Sequence, residues 1–162
     1  MISCVDFIPA YSVLFQYIEE KEGYEGVKRY WEYISDKYVE PSLGKQVKEH
    51  GLKGCWNYWS HSLNEEAADF TMEYDPDERT FTIDMHHCPS KGRLLSLEHM
   101  KPYENYCFHC DTLYRRVLER HGFSYEFDFS NTNHAACIIR VRSNEEKEPS
   151  LPDNNTIYTT LS

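Results

Sequence analysis

The chain has 162 residues, a formal net charge of −10 and a pI near 5.2, with 40 % hydrophobic and 15 % aromatic residues. This length fits one domain that can bury a substantial core. The acidic balance argues against nucleic acid and anionic membranes as partners, since both favour basic patches. The sequence shows neither a secretory signal nor an apolar run of about 18 residues, so we expect a cytoplasmic protein whose cysteines are thiols.

The first third of the chain is predicted to be helical. Apolar residues recur at helical spacing over residues 9–20 and again over 24–38, and Gly23 separates the two helices. A third helix is predicted over 41–50, with a proline in its first turn. The aromatic cluster at 55–59 is expected to pack on the elements that follow.

The period of the apolar residues then changes from that of a helix to that of strands. Residues 70–85 alternate between apolar and polar side chains on both sides of the turn residues 75–79, which predicts a β-hairpin. A long helix is predicted over 101–120. Alternation returns over 123–141 and predicts a second antiparallel hairpin.

These elements predict a single α+β domain over residues 1–142. N-terminal helices precede two antiparallel hairpins that flank a long helix, an order typical of layered α+β architectures. Residues 143–162 begin with a polar, charged stretch and are predicted to form a C-terminal tail.

Four of the six cysteines lie in three short segments that also carry histidines. These segments are His86-His87-Cys88, Cys107-Phe108-His109-Cys110-Asp111 and His134-Ala135-Ala136-Cys137. The predicted elements place them at a strand end, on the inner face of a helix and at the start of the closing strand. Thiols and imidazoles that converge in a fold can form a nucleophilic or a metal-binding site.

One hypothesis is a zinc site in a protein that binds rather than transforms its ligand. Cys107 and Cys110 are three residues apart on a helix, so their sulfurs share one face. Cys88 with His87 or His86 at the strand end would complete a Cys₃His ligand set.

A second hypothesis is nucleophilic catalysis, and a third is that the cysteines only fill the core. A cysteine beside a histidine can be held as a thiolate and attack a carbon centre, while a carboxylate orients the imidazole. Cys88, Cys110 and Cys137 each have a histidine within three residues. Buried cysteines also behave as small hydrophobic residues, which is the interpretation we prefer for Cys4 and Cys55.

The order of three short motifs carries a family resemblance. A strand ends in Cys88-Pro89, a helix carries Cys110-Asp111, and a final strand begins at Cys137. Over residues 65–142 this order resembles the L-2-amino-thiazoline-4-carboxylic acid hydrolase family. Asn133-His134 stands where that family has a Gly-Asp-like element.

The resemblance implies a small hydrolase that opens a C–N bond of a heterocycle without a cofactor. Its site positions carry over to Cys88, Cys110, Asp111 and Cys137. The partner that it requires is a small-molecule substrate, and assembly into a homo-oligomer is compatible with it.

The chemistry of ring opening suggests roles for these side chains. We predict Cys110 or Cys88 as the nucleophile, His87 as the base and Asp111 as the group that orients the base. Arg140 is predicted to bind a substrate carboxylate. The other predicted substrate contacts are His86 and His134.

Overall fold

Helices precede a four-stranded antiparallel sheet in the computed structural model, which describes residues 4–66 and 68–144. The helical elements are α1 (Cys4–Ile34), a π-helical segment (Ser35–Gly44), α2 (Lys45–His50), α3 (Leu52–Glu65), α4 (Pro89–Leu95), α5 (Phe108–Arg120) and a 3₁₀ turn (Thr132–His134). The strands are β1 (Asp69–Asp75), β2 (Thr80–His87), β3 (Phe123–Asp128) and β4 (Cys137–Ser143). The predicted α+β class is confirmed.

The two helices predicted on either side of Gly23 are present as two helical runs of α1 that meet at a kink. Gly23 has φ of 71° and ψ of 178°, a conformation that glycine adopts at no steric cost. The helix resumes directly after it, and Phe15 and Trp31 on either side of the kink are fully buried against each other. Gly23 therefore ends the first helical run and separates it from the second, as the sequence predicted.

The π-helical segment replaces the predicted boundary between the second and third helices. Pro41 lies inside it and has no amide hydrogen to continue an α-helical hydrogen-bond ladder. The buried hydroxyl of Ser35 donates to the carbonyl oxygen of Leu113 at 2.8 Å. This bond fixes the segment against α5, the helix that carries Cys110.

The sheet has the strand order β1-β2-β4-β3, and all of its neighbouring strands are antiparallel. Asp75 Oδ1 accepts hydrogen bonds from the amides of Asp77 and Glu78 at 2.9 Å, which closes the turn between β1 and β2. The pairing of β2 with β4 was not predicted from the sequence. It sets Ile83 opposite Ile139, and it brings the end of β2 beside the start of β4.

Two hydrophobic clusters hold these layers together. The larger cluster joins the inner face of the sheet to α2, α3, α5 and the π-helical segment, and includes Trp59 stacked on Phe81 at 5.6 Å between ring centroids. The smaller cluster joins α1 to α4 and to the loop before α5. In the described part of the chain, no helix is both long and apolar enough to cross a membrane.

Two predicted boundaries differ from the structure, and one short helix was not predicted. The long helix begins at Phe108 rather than near 101, because Tyr103 is buried under α1 and its amide donates to Ser12 Oγ at 2.8 Å. The short helix α4 was not predicted. Ser143, assigned to the tail, belongs to β4 and pairs with Phe123, while residues 145–162 of the tail lie outside the described residues.

Gly54 is expected to be intolerant of a side chain, because the backbone of α2 lies directly against it. A Cβ atom at Gly54 would overlap the carbonyl of Gln46 and would lie 2.7 Å from the amide nitrogen of Val47. Gly54→Ala should lower the free energy of unfolding by about 1–3 kcal/mol, although alanine favours helices. Urea denaturation measures the change, and the exposed neighbour Lys53→Ala is the control. A variant as stable as the native protein would contradict this close approach.

Candidate functional site

The four cysteines of the three sequence segments line one cavity of about 160 Å³. Cys88 precedes α4, Cys110 lies in the first turn of α5, and Cys137 begins β4. Cys107, predicted on the helix with Cys110, is the capping residue just before α5, because the helix begins at Phe108. We call this space the thiol cavity. The sequence placed these cysteines on three elements, and the fold brings them together.

Main-chain hydrogen bonds fix the two strand-end cysteines relative to each other. The amide of Cys88 donates to the carbonyl oxygen of Ala135 at 2.6 Å, and β-sheet pairing sets Met85 opposite Cys137. The amide of Lys91 donates to Cys88 Sγ at 3.4 Å, so Cys88 caps the first turn of α4. The end of β2 is thereby held against the start of β4 on one wall of the cavity.

His109 is the imidazole that the fold places beside the thiols. Its Nε2 lies 3.4 Å from Cys110 Sγ, and its Nδ1 donates to the carbonyl oxygen of Tyr106. Burial lowers the pKa of His109 to about 4. At neutral pH the ring is uncharged, with the proton on Nδ1, so Nε2 presents a lone pair to the Cys110 thiol.

The cavity keeps its thiols protonated. Burial, followed by the neighbouring cysteines, raises the pKa of Cys110 well above its usual range. Burial and Cys88 likewise raise the pKa of Cys137 to about 12, and burial raises that of Cys107 to about 11. The pKa of Cys88 is also raised by burial, but the amides of Lys91 and Ser90 and the Lys91 charge oppose the rise.

Other polar groups line the thiol cavity at defined points. Glu66 and Lys91 supply one carboxylate and one ammonium group. Burial and the nearby Glu65 raise the pKa of Glu66. Burial also raises the pKa values of Tyr106 and Tyr114, so both phenols stay protonated and can donate hydrogen bonds.

Four side chains predicted to act on the substrate lie outside the cavity lining. His86 contacts Asp69 at 3.1 Å and Thr71 at 3.2 Å, both on the exposed part of the first hairpin. The other three are exposed as well: His87, His134 and Arg140. A molecule held within the described cavity lining would contact none of the four.

The local geometry explains these positions. Arg140 alternates with Ile139, whose side chain is buried under the helices, so period-two geometry turns Arg140 to the outer face of the sheet. His87 lies over Gly92 of α4, where any Cβ atom would overlap its ring. The His87 imidazole is thus packed against α4 and lies outside the cavity lining.

Asp111 also lies outside the cavity lining, on a neighbouring face of α5. Its Oδ1 accepts from Arg115 Nη2 at 2.7 Å, and Arg115 Nη1 donates to the carbonyl oxygen of Tyr125 at 2.7 Å. Asp111 therefore ties α5 to β3 through Arg115. The structure shows it as a support of the cavity wall rather than as a group within the cavity.

The sequence contains a signal for His109, although none of the predicted catalytic roles was assigned to this residue. His109 is three residues from Tyr106 and adjacent to Cys110, so a helical projection places it beside the buried face of α5. Glu66 and Lys91 carried no comparable signal, because each belongs to a segment distant in sequence from α5.

Within residues 4–66 and 68–144, no group of three or more His, Cys, Asp or Glu side chains is positioned to hold a metal ion. His87, assigned to the zinc set, is separated from the cavity as described above. The zinc hypothesis stays a prediction.

No protein-family model matches this chain, and no curated protein matches it. The resemblance to L-2-amino-thiazoline-4-carboxylic acid hydrolases therefore depends on the three motifs themselves. Their cysteines are three of the four that line the thiol cavity.

Proposed function

We propose that this protein is a hydrolase that opens a C–N bond of a small heterocycle in the thiol cavity. The observation that carries the proposal is the contact between Cys110 Sγ and His109 Nε2 at 3.4 Å in a cavity of about 160 Å³. A nucleophile, a neighbouring base and a group that orients the base are the components of covalent catalysis. Here the Tyr106 carbonyl orients the base, in place of the carboxylate that the sequence suggested.

The proposed reaction adds one water molecule across the ring C–N bond. Cys110 Sγ attacks the C=N carbon while its proton passes to Nε2 of His109. The ring nitrogen takes this proton, which gives a tetrahedral adduct. The exocyclic nitrogen of the amidine then passes a second proton to the ring nitrogen and forms a double bond to the carbon, so that the ring nitrogen leaves as an amine and the carbon stays bound to sulfur. Water then attacks the carbon, the bond from Cys110 Sγ to the carbon breaks, and the oxygen becomes a carbonyl. One water proton returns to the sulfur and the other to the nitrogen that stays on the carbon.

The electrostatics of the cavity favour a cationic substrate head such as a cyclic amidine. A thiolate and an imidazolium are both disfavoured in the empty cavity, because burial raises the pKa of Cys110 and lowers that of His109. A bound amidinium would stabilise the thiolate, and the carboxylate of Glu66 would stabilise the amidinium.

Lys91 is the cavity cation that a substrate carboxylate would contact. It lines the thiol cavity, and its charge acts on both Cys88 and Cys107. We assign to Lys91 the carboxylate-binding role that the sequence suggested for Arg140. The proposed substrate class is therefore a small cyclic amidine that bears a carboxylate.

The direct test is turnover by the purified native protein. We expect 2-amino-thiazoline-4-carboxylate, or another carboxylated cyclic amidine, to gain one water molecule in a mass-spectrometric time course. The same ring without its carboxylate should react more slowly, and Lys91→Met should slow the carboxylated ring but leave the rate of the ring without a carboxylate unchanged. The exposed Lys53→Met is the matched control.

Elemental analysis of the same preparation separates hydrolysis from metal binding. Turnover by metal-free protein supports the proposal. Stoichiometric zinc that is lost on Cys88→Ser or Cys110→Ser substitution, with no turnover of any amidine, would contradict it and support the zinc hypothesis.

A further inference from the structure

A second concave site, an open groove of about 360 Å³, borders the thiol cavity. One wall is the first part of α1, which includes Ala10, Tyr11 and Leu14, and Ser90 and His109 contribute to the opposite wall. We call it the α1 groove. Its volume lies in the range of small-molecule sites, which are concave and mainly apolar.

The described residues that line the α1 groove carry no charge at neutral pH. His109 is neutral because burial lowers its pKa to about 4. Burial raises the pKa values of Tyr11 and Tyr106, so their phenols are neutral hydrogen-bond donors. An ion placed here would lose hydration without gaining a partner, whereas an uncharged ring would bury apolar surface against the α1 wall.

The two sites share one wall. Ser90, Tyr106 and His109 line both the α1 groove and the thiol cavity. The ring of His109 packs edge-on to Tyr11, with 6.0 Å between centroids, while its Nε2 contacts Cys110 Sγ. A molecule in the groove would therefore contact His109, the same imidazole that contacts Cys110 Sγ.

We propose that the α1 groove binds an uncharged aromatic small molecule that packs against His109. The shared wall and the absence of charge in the described lining identify the occupant as a neutral molecule of a few rings, distinct from the charged substrate of the thiol cavity. This site goes beyond the proposed hydrolysis and does not depend on it.

The test uses 2-naphthol and its anionic counterpart 2-naphthoate as probes, with binding to the full chain followed by calorimetry. Naphthol should bind at least about tenfold more tightly than naphthoate, because the described residues that line the groove offer the carboxylate no cation. Ala10→Trp, which fills the groove from an exposed helical position, should weaken naphthol binding at least about tenfold.

Val13→Trp is the matched control, since Val13 is exposed on the same helix but is not part of the described groove lining. It should leave the affinity for naphthol unchanged. NMR should also show a shift of the His109 imidazole resonances when naphthol binds.

Three results would overturn the proposal: equal binding of the two probes, equal affinities of the two tryptophan variants, or unmoved His109 resonances. An affinity that depends on protein concentration would identify a second copy of the chain as the occupant, and would also overturn it. None of these measurements uses turnover, so they remain decisive if the protein is not a hydrolase.

Discussion

Cys110→Ser is expected to reduce turnover of a cyclic amidine by at least about 100-fold, because a serine hydroxyl is a far weaker nucleophile than a thiol. The neutral His109 cannot compensate, since burial lowers its pKa to about 4 and makes it a weak base. The oxygen would stand in the place of Sγ, which lies 3.4 Å from His109 Nε2. Steady-state kinetics on the purified variant measures the loss.

Two other cysteines provide controls for this substitution. Cys137→Ser makes the same sulfur-to-oxygen change at β4, on the other side of the cavity. The described structure shows no histidine nitrogen beside this sulfur, so the variant should retain activity within about threefold. Cys55→Ala changes a buried cysteine of α3 outside the described cavity lining. Urea denaturation of each variant separates lost chemistry from lost fold.

The pattern of losses identifies the nucleophile. Full activity of Cys110→Ser would refute the assignment to Cys110. If Cys88→Ser alone abolished turnover, the nucleophile would be Cys88, whose sulfur accepts a hydrogen bond from the Lys91 amide. His109 would then not be the base.

Lowering the pH from 6.5 to 4 is expected to destabilise the protein through His109 by about 3 kcal/mol. Folding lowers the pKa of His109 from 6.5 to about 4, chiefly by burial. Between these two values the unfolded chain binds a proton that the folded chain does not, so stability falls as the pH falls. Above pH 6.5 both states hold a neutral imidazole, and this contribution has no pH dependence.

His109→Asn isolates that contribution. The asparagine amide can still donate to the Tyr106 carbonyl as Nδ1 does, but it does not titrate. The pH dependence of unfolding in urea should be shallower in this variant, whereas His61→Asn, at an exposed position of α3, should keep the native slope. Glu66 acts in the opposite direction, since its raised folded pKa stabilises the fold as the pH falls, and it is present in all three proteins.

Equal slopes in the native protein and His109→Asn would show that His109 is solvated and charged at pH 5. That result would also remove the basis for a neutral Nε2 facing Cys110. The two predictions thus test the same imidazole, one through catalysis and the other through the free energy of unfolding.

Local sequence patterns determined much of the architecture. Alternation of Phe81, Ile83 and Met85 with polar residues predicted β2, and the turn residues before them predicted its pairing with β1. Cys88 caps α4 and Pro89 lies in its first turn, so this pair is a local signal for the start of a helix. The helix was not predicted because it is too short to show a periodic apolar pattern.

The sequence by itself determined that four thiols lie at a strand end, on a helix and at a strand start, because capping residues and apolar periods act within each element. Only the tertiary structure decided that these thiols line one cavity and that His109, rather than His87, accompanies them. Pairing of β2 with β4 sets Met85 opposite Cys137, and packing of α5 on the sheet brings Cys110 to the same space. Both contacts join residues far apart in the chain, and local periodicity carries no information about which distant faces will meet.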